Sequence, residues 1–128
     1  MMAPYYLRKR LPTAKIGFFL HIPWPSSEIY RSLPVRDQVL TGLLASDIIG
    51  FQSFAYARHF MSCCTRILGL KVYDKGIQLA DGRLVRIEVM PIGIDSEYWL
   101  KLVQKPETQE KIKELKTSFQ GKKIIASR

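Results

Sequence analysis

Lys15-Ile16-Gly17-Phe18-Phe19-Leu20-His21-Ile22-Pro23-Trp24-Pro25 is the stretch on which the fold turns. Ile16 to Leu20 is a short, continuous apolar run between Lys15 and His21. Such a run suits a strand buried on both faces, the usual state of a parallel sheet. The Pro-rich segment after it can be neither helix nor central strand, so it is a stiff loop at the strand's end. Asp47 to Gln52 (Asp-Ile-Ile-Gly-Phe-Gln) repeats the pattern and reads as a second buried strand.

Between and around these strands the spacing predicts helices. Tyr5, Tyr6 and Leu7 followed by Arg8, Lys9 and Arg10 read as the last turns of a helix, with cations at its C-terminal end and Pro12 stopping it. Ser26-Ser27-Glu28 offers capping hydroxyls to a short helix, and Pro34 opens another that carries Val35, Val39 and Leu43 on one face. Ser53 to Gly69 is the clearest helix. Phe54, Tyr56, Ala57, Phe60, Met61, Cys63, Cys64, Ile67 and Leu68 fill about half of its circumference, so it should lie against a sheet. Asp81-Gly82 between Ile77–Leu79 and Leu84–Val89 is a hairpin signal. Helices follow from about Ser96 and from Glu107, and Lys122 to Ala126 reads as the start of another strand. The fold class expected is α/β: a largely parallel sheet flanked by helices, with an inserted β-hairpin. No internal repeat, low-complexity tract or linker interrupts it. The chain opens inside a helix and closes as a strand begins, which suggests a piece of something longer.

The 128 residues are 47% apolar, enough for a core. Two adjacent cysteines, Cys63 and Cys64, can frame neither a disulfide scaffold nor a four-ligand zinc site, which points to a reducing compartment. No apolar run approaches the roughly 20 residues of a membrane span. No apolar segment follows the basic start, so no secretory signal is expected. The formal net charge is +9, which invites a nucleic-acid reading. Its distribution argues against that. Residues 1–36 carry +5, residues 37–98 carry −1 and residues 99–128 carry +5, so the excess sits in the two ends and forms no single basic stripe.

The chemistry-bearing candidate is His21, at the carboxyl end of the first strand, where open α/β sheets place ligands. With Trp24 and the helix start at Ser26 and Ser27 it could form a phosphate or sugar pocket. Equally, His21 could be a hydrogen-bonded structural histidine and Trp24 plain packing; spacing leaves both readings open. His59 falls on the polar arc of its helix and reads as solvated. Cys63 and Cys64 fall on the apolar arc and read as core. Asp37, Asp47 and Asp95 sit where capping is the default. The Lys111–Lys116 run interleaves with Glu110 and Glu114 as a solvated face. Walker-type and Gly-x-Gly phosphate loops are absent.

The segment from Lys15 through Arg31, with Leu33-Pro34-Val35-Arg36, resembles the trehalose-phosphate synthases. The resemblance continues through Asp47–Gln52, Tyr56-Ala57-Arg58-His59-Phe60 and Pro91-Ile92-Gly93-Ile94-Asp95, in the family's order and across the whole chain. It implies a retaining glycosyltransferase of two Rossmann-like lobes, the GT-B architecture, joining glucose from UDP-glucose to glucose 6-phosphate. Residues 1–128 would be a partial glycosyltransferase domain: the second part of the N-terminal lobe, reaching the first strand of the C-terminal lobe.

By the same resemblance, His21 is the catalytic histidine contacting the transferring glucose. No metal and no cofactor is implied, since UDP-glucose is a substrate, and the setting would be cytoplasmic without membrane or nucleic-acid partners. The family's donor loop, its acceptor-phosphate contacts and its arginine–lysine donor pair have no counterpart in these residues, so the segment alone is expected to be inactive. Arg128 stands where active synthases usually carry Val, and it takes no donor role. An Arg there resembles synthase-like domains joined to trehalose-phosphate phosphatases, some of them regulatory. The alternative is therefore a non-catalytic regulatory domain of a synthase/phosphatase protein or complex, with a phosphatase domain or subunit as partner.

Overall fold

The computed structural model describes residues 1–74 and 76–125. It divides into two compact units, Met1–Ile92 and Gly93–Arg128.

In the first unit the order is α1 (Ala3–Arg10), β1 (Gly17–Leu20), α2 (Ser27–Tyr30), α3 (Arg36–Leu43), β2 (Ile48–Phe51), α4 (Phe54–Leu68), β3 (Lys71–Tyr73), β4 (Gly76–Gln78) and β5 (Leu84–Val89). The described strands form one sheet in the order β1-β2-β5-β4-β3. β1, β2 and β5 pair in parallel, while β4 runs antiparallel to both β5 and β3. The expected α/β class with a largely parallel sheet is what forms. The hairpin lies where Asp81-Gly82 places it, and its second strand also pairs with β2 to complete the parallel part. Gly76 permits the close hairpin: a Cβ there would meet the Val85 carbonyl, whose backbone cannot step aside.

α4 starts where Ser53 accepts from the Tyr56 amide and stops at Gly69, whose φ of 66° is the left-handed cap geometry. Its face carries Ala57, Phe60, Cys63 and Cys64 into the core, against Leu20, Ile49, Phe51, Ile77 and Val85 from the strands and Leu40, Leu43 and Leu44 from the α3 region.

Several readings need correction. Among the described residues β1 is the edge strand of the sheet, so Gly17 is exposed and Phe18 and Phe19 are half-buried. Phe54 is 79% exposed; at the first turn of α4 it stands at the rim of a cavity of about 600 Å³ with Met61, Ile87 and Val89 and does not enter the core. β3 was not legible as a strand, being three exposed residues long.

Two arginines lock the turn that feeds β2. Arg8 donates to the carbonyls of Ala45, Pro12 and Ala14 and to Asp47 Oδ2 at 2.8 Å. Arg83 donates to the carbonyls of Leu44 and Ser46, both at 2.7 Å. These guanidiniums satisfy carbonyls at the C-terminal end of α3, where helix carbonyls lack partners and cations are favoured. Asp47 caps no helix; its Oδ2 also accepts from the Ile16 amide at 2.7 Å and so joins the starts of β1 and β2. The Ile16 amide, with the Arg8 guanidinium behind it, holds the Asp47 carboxyl below the usual aspartate range.

A depressed carboxylate contributes stability in full above the ordinary aspartate pKa of about 3.9 and loses it as pH falls through the lower folded value. Asp47→Asn is therefore expected to cost about 1–3 kcal/mol at pH 7 and to flatten the acid limb of stability. Urea midpoints at pH 7 and pH 3 check this; parallel curves for the two proteins at both pH values would refute it.

In the second unit, α5 (Ser96–Gln104) starts at Asp95, whose side chain accepts from the Tyr98 amide at 3.0 Å, and α6 (Pro106–Ser118) starts with proline at its first position. The capping role read for Asp95 holds, and Lys111–Glu114 at 2.7 Å lies on the solvated face expected there. Residues 122–125 form no strand. Ala126, Ser127 and Arg128 lie outside the described residues, and with them the Arg128 reading.

Candidate active site

The three parallel strands end level. Leu20 is in register with Phe51, and Phe51 with Val89. His21, Gln52 and Met90 follow at one height, along the carboxyl rim where sheets of this kind bind ligands. Gln52 is used internally, its Oε1 accepting from the Ile92 amide at 2.9 Å, while the Met90 amide donates to the Phe51 carbonyl at 2.8 Å. Alternation along β1 sends Phe18 and Leu20 into the core and puts Phe19 and His21 on the other face. The two rings meet edge to face with centroids 5.0 Å apart. Gly50 makes room for Phe19, since a Cβ there would come within 2.8 Å of Phe19 Cδ2.

His21 is exposed and has no hydrogen-bond partner among the described residues. Both ring nitrogens can therefore meet a ligand, one donating and one accepting in the neutral imidazole.

Trp24, by contrast, is packing. It is 2% exposed, its ring lies against Tyr30 and Phe60 at 4.8 and 5.0 Å, and its indole N–H donates to Cys63 Sγ at 3.4 Å. The aromatic wall expected beside His21 is thus turned into the core, because α4 supplies an apolar seat and an acceptor for the indole. His59 is not simply solvated: it is half-buried and its Nδ1 stands 3.2 Å from the Trp24 carbonyl. Ser27 is buried and accepts from Arg66, which also pairs with Glu28 at 2.8 Å, so the Ser27 hydroxyl is held within the fold. Asp37 lies in the first turn of α3 and pairs with Arg36 at 3.7 Å; it does not cap.

Cys63 and Cys64 are fully buried, as their arc implied. Burial pushes both thiols up, only partly offset at Cys63 by the Trp24 indole and Arg66. Buried, protonated thiols are poor nucleophiles. Neither should react with a chromogenic disulfide reagent at pH 8 until the protein unfolds, with native labelling at least about a hundredfold slower than in denaturant. Stoichiometric labelling of the native protein within minutes would contradict that. Among the described residues, no group of three or more His, Cys, Asp or Glu could hold a metal.

An α/β unit whose level parallel strands carry an exposed, unpartnered histidine on their carboxyl rim has the layout of a ligand-binding sheet. The chain belongs to glycosyltransferase family 20, whose family model matches residues 1–128. It is 50% identical to the probable alpha,alpha-trehalose-phosphate synthase [UDP-forming] 10 of Arabidopsis thaliana over 98% of this chain and 15% of that one. It thus spans roughly a seventh of the length of such relatives. Among solved structures it is similar to the Candida albicans trehalose-6-phosphate phosphatase N-terminal domain, with TM-score 0.80 and 44% identity over 95% of this chain and 26% of that one. An E. coli trehalose-6-phosphate structure bound with UDP-2-fluoro glucose gives TM-score 0.75 and 34% identity over 91% and 26%.

Proposed function

We propose that the chain is part of a trehalose-phosphate synthase that transfers glucose from UDP-glucose to glucose 6-phosphate, with His21 hydrogen-bonding the transferring glucose. One observation carries the reading: an exposed imidazole, without a protein partner, at the level carboxyl ends of three parallel strands. The names of the synthase relatives and the fluoro-glucose nucleotide held by the E. coli structure support it. Residues 1–128 are then the second part of the N-terminal lobe of a GT-B enzyme, leading to the C-terminal lobe. As positive charge develops at the sugar carbon, a hydrogen bond from His21 to a glucose hydroxyl stabilises the transition state without His21 needing to shuttle a proton.

No resident cofactor is proposed. A cytoplasmic setting fits the two unpaired, buried cysteines, and no helix among the described residues is long and apolar enough to cross a membrane. Arg8 and Arg83 are occupied by backbone carbonyls, which removes two cations from any nucleic-acid surface.

A second reading has its own support. The Candida albicans phosphatase N-terminal domain has the higher TM-score of the two structures compared above, which favours a synthase-like domain joined to a phosphatase and serving regulation. The full-length protein incubated with UDP-glucose and glucose 6-phosphate separates the two. Equimolar UDP and trehalose 6-phosphate support the synthase; neither product supports the regulatory domain. The 128-residue chain by itself should yield no product.

A further inference from the structure

We propose that His59 is a positioning residue for His21, fastening the loop that carries it to α4; the inference rests on the role given to His21 above. The loop cannot hold itself. No backbone–backbone hydrogen bond reaches residues 21–25 among the described residues, and Pro23 and Pro25 have no amide to donate. What holds it is one side chain and one carbonyl of Trp24. The indole is clasped between Tyr30 and Phe60 and donates to Cys63 Sγ. The carbonyl faces His59 Nδ1 at 3.2 Å. His59 and Cys63 stand one helical turn apart on α4, at the i,i+4 spacing that puts two side chains on one face. One turn of α4 therefore fixes both the ring and the backbone of Trp24.

A carbonyl only accepts, so His59 carries its proton on Nδ1 and donates it to Trp24. With that bond gone, the buried ring still holds its seat, but the peptide following it is free to rotate. His21 lies three residues upstream with no anchor of its own beyond the edge contact to Phe19. A shift of the order of 1 Å in a substrate-contacting group is enough to cost about a hundredfold in rate. Asparagine places an N–H donor near the position of Nδ1, which makes His59→Asn the conservative variant.

The test uses the full-length protein carrying this chain. His59→Ala is expected to lower kcat about ten- to a hundredfold with KM for UDP-glucose within about threefold, and His59→Asn to recover most of the loss. In a His21→Ala background, His59→Ala should cost less than about twofold more, since its effect runs through a ring no longer there. Wild-type kcat in His59→Ala, an equally deep loss in His59→Asn, or a full multiplicative loss in the double variant would each overturn the inference. If His21→Ala itself turns over normally, or the protein transfers no glucose, the reading of His21 fails instead. Limited proteolysis then decides His59 separately. Cleavage within residues 21–27 by a non-specific protease should be at least about tenfold faster in His59→Ala and as in wild type in His59→Asn. Unchanged cleavage in His59→Ala overturns the fastening.

Discussion

In the full-length protein, His21→Ala is expected to lower the turnover of glucosyl transfer by roughly a thousandfold while leaving the fold intact. The two halves of that result have separate physical grounds. The fold should survive because the His21 side chain is exposed and makes no hydrogen bond to the described residues, leaving only its edge contact with Phe19 to lose. Substitutions at such positions usually change stability by less than about 0.5 kcal/mol. The rate should fall because, in the role proposed for it, the imidazole's hydrogen bond to the sugar strengthens as charge develops at the transferring carbon. Circular dichroism and kcat measured on the same preparation check both halves. An unchanged spectrum beside wild-type turnover would remove His21 from the chemistry; a collapsed spectrum would make it structural.

Phe60→Ala should be the most destabilising single truncation in the first unit, at about 3–5 kcal/mol. Phe60 is fully buried, and it touches both halves of the core. Its ring stands 5.3 Å from that of Phe51 on the central strand β2 and 5.0 Å from that of Trp24 in the loop after β1. Truncation leaves a cavity under the sheet and removes one wall of the Trp24 seat at once. Against a typical domain stability of about 5–15 kcal/mol, that is a large fraction of the whole. Urea denaturation gives the loss directly, and a midpoint shift worth less than about 1 kcal/mol would contradict the packing described. Arg58 is exposed and neighbours Phe60 by two positions, so Arg58→Ala serves as a comparison expected within about 0.5 kcal/mol of wild type.

How much of this was legible in the sequence depends on the kind of contact. α4 could be read because its apolar arc repeats over fifteen residues, with Ser53 and Gly69 marking its ends. β1, β2 and the hairpin could be read from apolar runs and an Asp-Gly pair. What could not be read is order within the sheet. That β5 lies beside β2, and that β1 has a neighbour on one side only among the described residues, are long-range facts, and the second is why Phe18 and Phe19 are half-buried there. Phe54 obeys the helical wheel yet stands exposed, since the wheel gives a direction but not where the sheet ends.

The site divides in the same way. His21 at a strand's carboxyl end was visible from position alone. Trp24 was ambiguous because an aromatic flanked by prolines serves equally as a wall or a wedge, and only its neighbours Tyr30, Phe60 and Cys63 settle it. His59 read as solvated because it borders the polar arc; its spacing of four from Cys63 was the available signal. The Arg8–Asp47 and Arg83 contacts span nearly forty positions in sequence and left no local trace.

The most direct measurement is histidine footprinting of the full-length protein with diethyl pyrocarbonate, read residue by residue by mass spectrometry with and without saturating UDP-glucose and glucose 6-phosphate. His21, exposed and without a partner, should be modified in the free protein and protected about tenfold or more when the substrates are bound, while half-buried His59 changes little. Equal modification of His21 in the presence and absence of both substrates would contradict its place beside the transferring sugar.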